Sequence, residues 1–437
     1  MKKAWILLLA LTLILSLAAC GGNENNIASG SNGNNGGEGS GEPEEITLRI
    51  AWWGSQPRHD YTLKVIEMYE EQNPHVKIEP EYASWDDYWK RLAPQASANE
   101  LPDIIQMDLS YISQYGGRGQ LADLTPYLNK EIDISDISDT VVSGGKLGDK
   151  LYGFNLGVNA IGFHYDPELL KKTGVESIPE DWTWDDYYEL AGKAKDAGVY
   201  MDTRMRPEVF FAYYLRTKGS TLYAADGTSL GYEDDRLFID FFQPLTELVK
   251  EGAIPSPDYV AQVKGIEDDP VVKGNAIGIW QWSNQFVGLQ SVADRPFAMQ
   301  PMPGPGLKEG MFLKPSMYFS VSENSKHKEE AAKFINFFVN DVEANKLILG
   351  ERGVPGSNVV KEALKPLLSE QQVQVFDYVS WVEQNSSQMD PPDPVGAAEI
   401  MTLLGDLVEQ MDYEQISAED AAAKFRKDAN NILSRNK

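Results

Sequence analysis

The period of the apolar positions changes several times along this chain, and the changes lay out its elements. Ile46-Thr47-Leu48-Arg49-Ile50-Ala51-Trp52-Trp53 reads as an opening strand, with a turn over 54–57. Apolar residues then recur at helical spacing over 61–69, until Asn73-Pro74 stops them. Residues 75–82 alternate as a half-buried strand. Ser84 heads a helix that starts at Trp85, with Asp87 at its third position as in a capping box. Residues 101–107 form a short apolar strand with Asp108 at its carboxyl end. Strand and helix alternating in this way predict an open, mainly parallel sheet with helices on both faces. Ligands of such sheets bind beyond the carboxyl ends of the strands, where residues 53–58 and 108–111 both fall.

The middle of the chain is more helical. Thr183 caps a helix, and two more are expected over 207–218 and 234–250. Residues 276–284 read as a buried strand running into an aromatic loop, 301–306 as a rigid Pro/Gly linker, 317–321 as a strand and 328–340 as a long amphipathic helix. There is no internal repeat. The pattern implies two α/β lobes between which the chain crosses more than once.

The amino terminus has a different character. Lys2 and Lys3 precede an apolar run over 6–15 that only Thr12 interrupts, and Leu17-Ala18-Ala19-Cys20 follows. The run is short for a permanent membrane span and ends in small residues, as a signal peptide over 1–19 does. Cys20 is the single cysteine among 437 residues, so no disulfide within the chain is expected. Residues 21–41 are almost wholly Gly, Asn, Ser and Glu, which cannot bury enough surface to fold and read as a flexible tether reaching to about residue 44. Leu17-Ala18-Ala19-Cys20 resembles the lipobox of bacterial lipoproteins, and with the tether that resemblance implies a lipidated Cys20 holding a folded part on the extracellular face of the cell membrane, touching the membrane through the anchor alone.

Composition narrows the partners. A formal net charge of −27 argues against a nucleic-acid partner, which needs a basic face. Ten Trp, twenty Tyr and sixteen Phe are many for so polar a chain, and ring faces stack on the C–H faces of sugars.

In order along the chain stand Trp52-Trp53-Gly54, the helix ending in Asn73-Pro74, the Trp85 helix and Leu101-Pro102-Asp103-Ile104-Ile105. Gly157-Val158-Asn159, Phe163-His164-Tyr165-Asp166, Thr183-Trp184-Asp185-Asp186, Trp280-Gln281-Trp282-Ser283, the 301–306 linker and Glu351-Arg352-Gly353-Val354-Pro355 follow. This series resembles family 1 extracellular solute-binding proteins, the sugar-capturing lipoproteins of ABC importers, over nearly everything from residue 45 onward. The stretches 49–54, 56–61, 85–89, 213–219 and 333–340 look like a subgroup whose importer serves rhamnogalacturonan, a pectin backbone. The resemblance implies a two-lobed periplasmic-binding-protein-like fold of type II, with a hinge and the ligand in the interlobe cleft. The amino-terminal lobe would span 45–155 plus about 303–350, and the carboxy-terminal lobe about 156–302 plus 351–437. It further implies a monomer that needs no cofactor, binds an acidic pectic oligosaccharide and delivers it to permease transmembrane subunits.

Ten residues are candidates for that site. Trp280 and Trp282 offer stacking faces because the resemblance places their loop at the cleft, though either could equally be core. Trp53 ends the first strand, with Trp52 pointing to the core. Trp85 lies in a first helical turn within reach of the cleft, whereas Trp89 on the same face is assigned to the core. Asp86 and Asp108 are acceptors for hydroxyls, Asp86 being equally explained by the helix dipole. Asn159 and Asn284 offer donor and acceptor at once, or simply make turns. Arg58 and Arg204, with Arg206 beside them, are the guanidiniums expected to clamp a uronate carboxylate or to pair with a surface acid, Arg58 foremost.

Rival chemistries lack their patterns. A glycoside hydrolase needs two carboxylates across the scissile bond, and among 66 acids no pair stands out, nor is there an eight-fold β/α rhythm. The four histidines, at 59, 75, 164 and 327, are too scattered for a metal. No Gly-x-Ser-x-Gly elbow is present. Asp133-Ile134-Ser135-Asp136-Ile137-Ser138-Asp139 lacks the glycine and terminal glutamate of a calcium loop and reads as a solvated turn. The alternatives kept open are a carrier for a xylan, arabinan or neutral fragment or for a peptide, and a secreted glycoside hydrolase.

Overall fold

The structure is a computed structural model that describes residues 45–436, except 264 and 265 and the side chains of Asp86 and Asn436. The leader, Cys20 and the tether lie outside the described residues. Eleven strands are described: β1 (Ile46–Trp53), β2 (Val76–Ala83), β3 (Ile104–Met107), β4 (Lys146–Leu147), β5 (Lys150–Leu151), β6 (Phe154–Asn159), β7 (Ile161–Tyr165), β8 (Tyr200–Asp202), β9 (Ala276–Trp282), β10 (Ala298–Gln300) and β11 (Lys314–Val321). They make a five-stranded sheet ordered β2-β1-β3-β11-β6, a four-stranded sheet ordered β10-β7-β9-β8, and the small hairpin β4-β5.

The first three strands pair in parallel, as the alternation of strand and helix predicts, but β11 runs antiparallel to both β3 and β6. The sheet is thus parallel only across its first half. β11 returns from the other sheet rather than through a βαβ crossover, so no right-handed connection dictates its direction. The second sheet is mixed, with β7 antiparallel to β9 and β10, and β8 parallel to β9. Strands β3, β6 and β7 are buried at every position, which removes the two-residue alternation by which a strand is read from sequence.

Local signals govern the helices. The first helix, Gln56–Gln72, starts five residues before the apolar spacing becomes visible. Pro57 belongs to its first turn rather than to a loop, because a missing N–H is harmless there. Thr183 and Asp186 form a reciprocal capping box on the helix Trp184–Asp196. Ser84 does start the helix Trp85–Ala98, but its hydroxyl donates to Asp87 at 3.2 Å and leaves the backbone uncapped.

Helices Gln56–Gln72 and Lys328–Asn340 cover the five-stranded sheet, with Tyr69 set against Phe334 and Phe337 and donating to Glu330 at 2.6 Å. The segment after Ile348 is stitched to the same sheet. Val158 and Val354 exchange backbone hydrogen bonds of 2.8 and 3.0 Å, and a Cβ on Gly157 would meet the Arg352 carbonyl at 2.4 Å. Arg352 is wholly buried, donating to Thr62 at 3.0 Å and to Gln106 among the rings of Tyr61, Phe319 and Phe338. Burial pulls its pKa down to about 10. Beyond the four-stranded sheet, Phe211, Phe238, Phe241, Phe242 and Phe425 form an aromatic core under the helices Pro207–Thr217, Arg236–Glu251 and Ala418–Leu433.

Candidate functional site

The two sheets meet end to end at one residue. Asn159 closes β6, Ala160 follows, and Ile161 opens β7. Ser283 ties the junction: its N–H donates to the Ala160 carbonyl at 2.8 Å, and its hydroxyl accepts from the Ala160 N–H at 3.1 Å. Register then places the neighbours. Lys314 lies opposite Asn159 on the first sheet, and Trp282 lies opposite Ile161 on the second. Because β1 and β3 are parallel and β11 reverses, the carboxyl ends of β1, β3 and β6 and the amino end of β11 share one end of the five-stranded sheet. Trp53, Asp108, Asn159 and Lys314 therefore stand along that end.

At the junction the indole of Trp282 is half-buried, edge-on to Phe312 with centroids 6.0 Å apart. The Lys314 ammonium lies 4.9 Å from the Trp282 ring centroid, a contact that spans the two sheets. Burial pulls the Lys314 pKa down, Asp108 and Asp393 pull the other way, and Arg206 adds to the lowering. Asn159 is buried opposite Lys314, and its Oδ1 has no hydrogen-bond partner among the described residues. Asp108 caps the helix Leu109–Gly117, accepting from the Ser110 N–H at 2.9 Å. Burial, then Asp390, raises the Asp393 carboxyl above its ordinary range, with Lys314 working against both.

Farther along the same sheet end is an aromatic cluster. Trp53 is buried, with Trp85 edge-on at 4.9 Å and Trp89 at 5.6 Å. Trp85 is 40% exposed, so it presents a ring to solvent on a base of buried indoles. Arg58 is beside them, its Nε and Nη2 gripping Glu351 at 2.9 and 2.8 Å and its Nη1 donating to the Trp53 carbonyl at 3.2 Å. Tyr61 donates to the same carboxylate at 2.6 Å. Burial pushes Glu351 up, but Arg58 and Tyr61 more than offset it and hold the carboxyl below its usual range.

Two expected residues stand elsewhere. Trp280 is buried among Trp182, Phe163 and Phe210, and its Nε1 donates to the buried Asp202 at 2.7 Å. Arg204 adopts a left-handed backbone with φ of 81° and turns its guanidinium onto the buried carboxylate of Asp412. Asn284 is exposed in the short turn after β9, and Arg206 is exposed and paired with Glu208 at 2.5 Å. The side chain of Asp86 lies outside the described residues. The structure thus brings Asp108, Asn159 and Trp282 together, groups Trp53, Arg58 and Trp85 nearby, and adds Lys314 and Asp393, neither of which the sequence singles out. The one local hint at Lys314 is Pro315, which forces the preceding residue into extended backbone at a strand start.

The two sheets are thus joined by a single-residue crossing, with polar and aromatic groups gathered where they meet. A family model for bacterial extracellular solute-binding proteins matches residues 55–344. The chain belongs to that family. The solved structure of an extracellular solute-binding protein family 1 from Alicyclobacillus acidocaldarius subsp. acidocaldarius DSM 446 is 28% identical, with a TM-score of 0.79 over 90% of this chain and all of that one. A periplasmic oligogalacturonide binding protein from Yersinia enterocolitica shares the fold at 24% identity and a TM-score of 0.78, covering 89% of this chain and 99% of that one. Among curated sequences, an uncharacterized ABC transporter extracellular-binding protein from Pyrococcus horikoshii is 25% identical over 315 residues, 68% of this chain and 70% of that protein. The solute-binding protein described here thus has the two-lobed α/β fold of periplasmic solute-binding proteins.

Proposed function

We propose that this protein is the substrate-binding component of an ABC transporter, which captures an oligosaccharide outside the cell and delivers it to the permease. In this reading the protein is a monomer that binds without catalysis, and a lipid on Cys20 holds it at the membrane. Each sheet is the heart of one lobe, and the lobes close about Ala160. The observation that carries the reading is the half-buried Trp282 at the junction, with Asp108 and the unpartnered Asn159 Oδ1 beside it. A flat apolar ring next to hydroxyl-binding carboxylate and amide groups is what a pyranose requires. The exposed Trp85, set on buried indoles, supplies a second ring along the same sheet end.

The ligand proposed is an acidic, pectic fragment of the rhamnogalacturonan type. The likeness of residues 49–54, 85–89 and 213–219 to that subgroup supports it, as does the oligogalacturonide ligand of the Yersinia neighbour with the same fold. Titration calorimetry against pectic, xylan, arabinan and neutral oligosaccharides tests both levels. One class should bind with no release of product. Turnover of any glycan would overturn the binding reading, and preference for a neutral class would overturn the pectic one.

A further inference from the structure

Arg58, the cation most expected to receive an acidic ligand, is already neutralised by Glu351. The other largely buried cations are also matched to oxygen: Lys361 to Glu383, Arg204 to Asp412, Arg216 to Asp390, Arg295 to Asp166, and Arg352 to Gln106 and Thr62. Lys314 is different. Among the described residues its ammonium makes no hydrogen bond and no ion pair, and its only close partner is the face of Trp282. A ring face satisfies an ammonium only in part, so the group keeps N–H donor capacity for an oxygen partner. Asn159, directly across the ladder on the same face, holds the unpartnered Oδ1.

We propose that Lys314 is the residue with which this protein recognises ligand charge, its ammonium taking the carboxylate of a uronate-type sugar bound at the sheet junction between Trp282 and Asn159. This rests on the reading of the protein as an oligosaccharide-binding component and adds to it the group that selects acid over neutral sugar. The charge balance around Lys314 fits. Asp108 and Asp393 are near enough to favour the charged ammonium, yet neither forms an ion pair with it, so the ligand carboxylate completes its coordination while Asp393 and the Asp108 oxygen not engaged by Ser110 are left for hydroxyls. Arg206 is the other cation acting on Lys314, and it is held by Glu208. The contact also spans both sheets, so a carboxylate bound there touches the two lobes at once.

The test is calorimetry on the full-length protein and its Lys314→Met, Lys314→Gln and Lys314→Arg variants. The ligands are digalacturonate and a galacturonate–rhamnose disaccharide, each beside its carboxyl-reduced counterpart, and melting curves establish that every variant is folded. In the native protein the acid is expected to bind more tightly than its reduced form. That ratio should fall about ten- to hundredfold in Lys314→Met and Lys314→Gln, the loss expected for one charge-assisted hydrogen bond, and survive in Lys314→Arg. A ratio unchanged in both neutral variants would overturn the assignment of Lys314 while leaving the oligosaccharide reading in place. A native protein that binds no glycan, acidic or neutral, would overturn that reading and this proposal together.

Discussion

His164 gives the protein a stability that depends on pH in a calculable way. It lies within β7, opposite Ile279 on one side and Met299 on the other, with no surface exposed. Phe286 stands edge-on to it at 5.2 Å, and neither ring nitrogen has a partner among the described residues. Burial alone pushes its pKa down to about 3, far below the value near 6.5 of a histidine in an unfolded chain. The sign follows from linkage. Between those values the unfolded chain takes up a proton that the native protein refuses, so stability is undiminished above about pH 6.5 and lost as the pH falls toward 3. The loss attributable to this residue is about 2 kcal/mol at pH 5 and approaches about 5 kcal/mol near pH 3. His164→Leu keeps an apolar side chain of similar size in the strand and removes both the titration and two buried polar atoms. Urea unfolding of native and variant protein at pH 7.5 and pH 5 isolates the effect, because the surface carboxylates are common to both. The variant's advantage should widen by about 2 kcal/mol at the lower pH. A gap that stays constant across that interval would show that His164 is not held neutral by burial, and would refute the reasoning.

The remaining expectations separate ligand contacts from framework. Trp280→Ala should destabilise by about 3–5 kcal/mol in thermal or urea unfolding, since it empties a core site and strips Asp202 of a donor. Trp282→Ala should instead weaken oligosaccharide binding by about tenfold or more in calorimetry, with a smaller effect on melting, since its ring lies at the junction and is only half-buried. Arg58→Ala should cost about 1 kcal/mol of stability at neutral pH, because the Glu351 partnership is partly exposed to solvent. That difference should fade as acid protonates Glu351: a carboxyl held low stabilises above its unfolded pKa and loses the benefit as pH drops through the folded value. Affinity for an acidic ligand should decline at alkaline pH earlier than an ordinary lysine would cause, because burial lowers the Lys314 pKa. A carboxyl-reduced ligand titrated over the same range should show no such limb.

What the sequence discloses here is set by the range of the interactions. The Thr183 capping box, the stop at Asn73-Pro74 and the helix over 328–340 depend on residues three or four apart, and all are legible. Strands β6, β7, β8 and β10 are short or buried on both faces, and nothing periodic marks them. The site suffers the same limit more severely. Trp280 and Trp282 look equivalent in the chain, two residues apart on one strand. Their fates divide because β8 reaches only to Gly278 along β9 while the strand runs on to Ile161, so one indole lies over Asp202 and the other at the open junction. Arg58 invites the part of a carboxylate clamp until Glu351, 293 positions away, is found holding it. The same fold that withdraws Arg58 leaves Lys314 unmatched, although in sequence Lys314 is one of 39 basic residues with only a following proline to mark it. On the proposed reading, charge recognition is therefore a property of which cation the long-range contacts leave unmatched among the described residues, and that is fixed where β6, β9 and β11 meet rather than by any local motif.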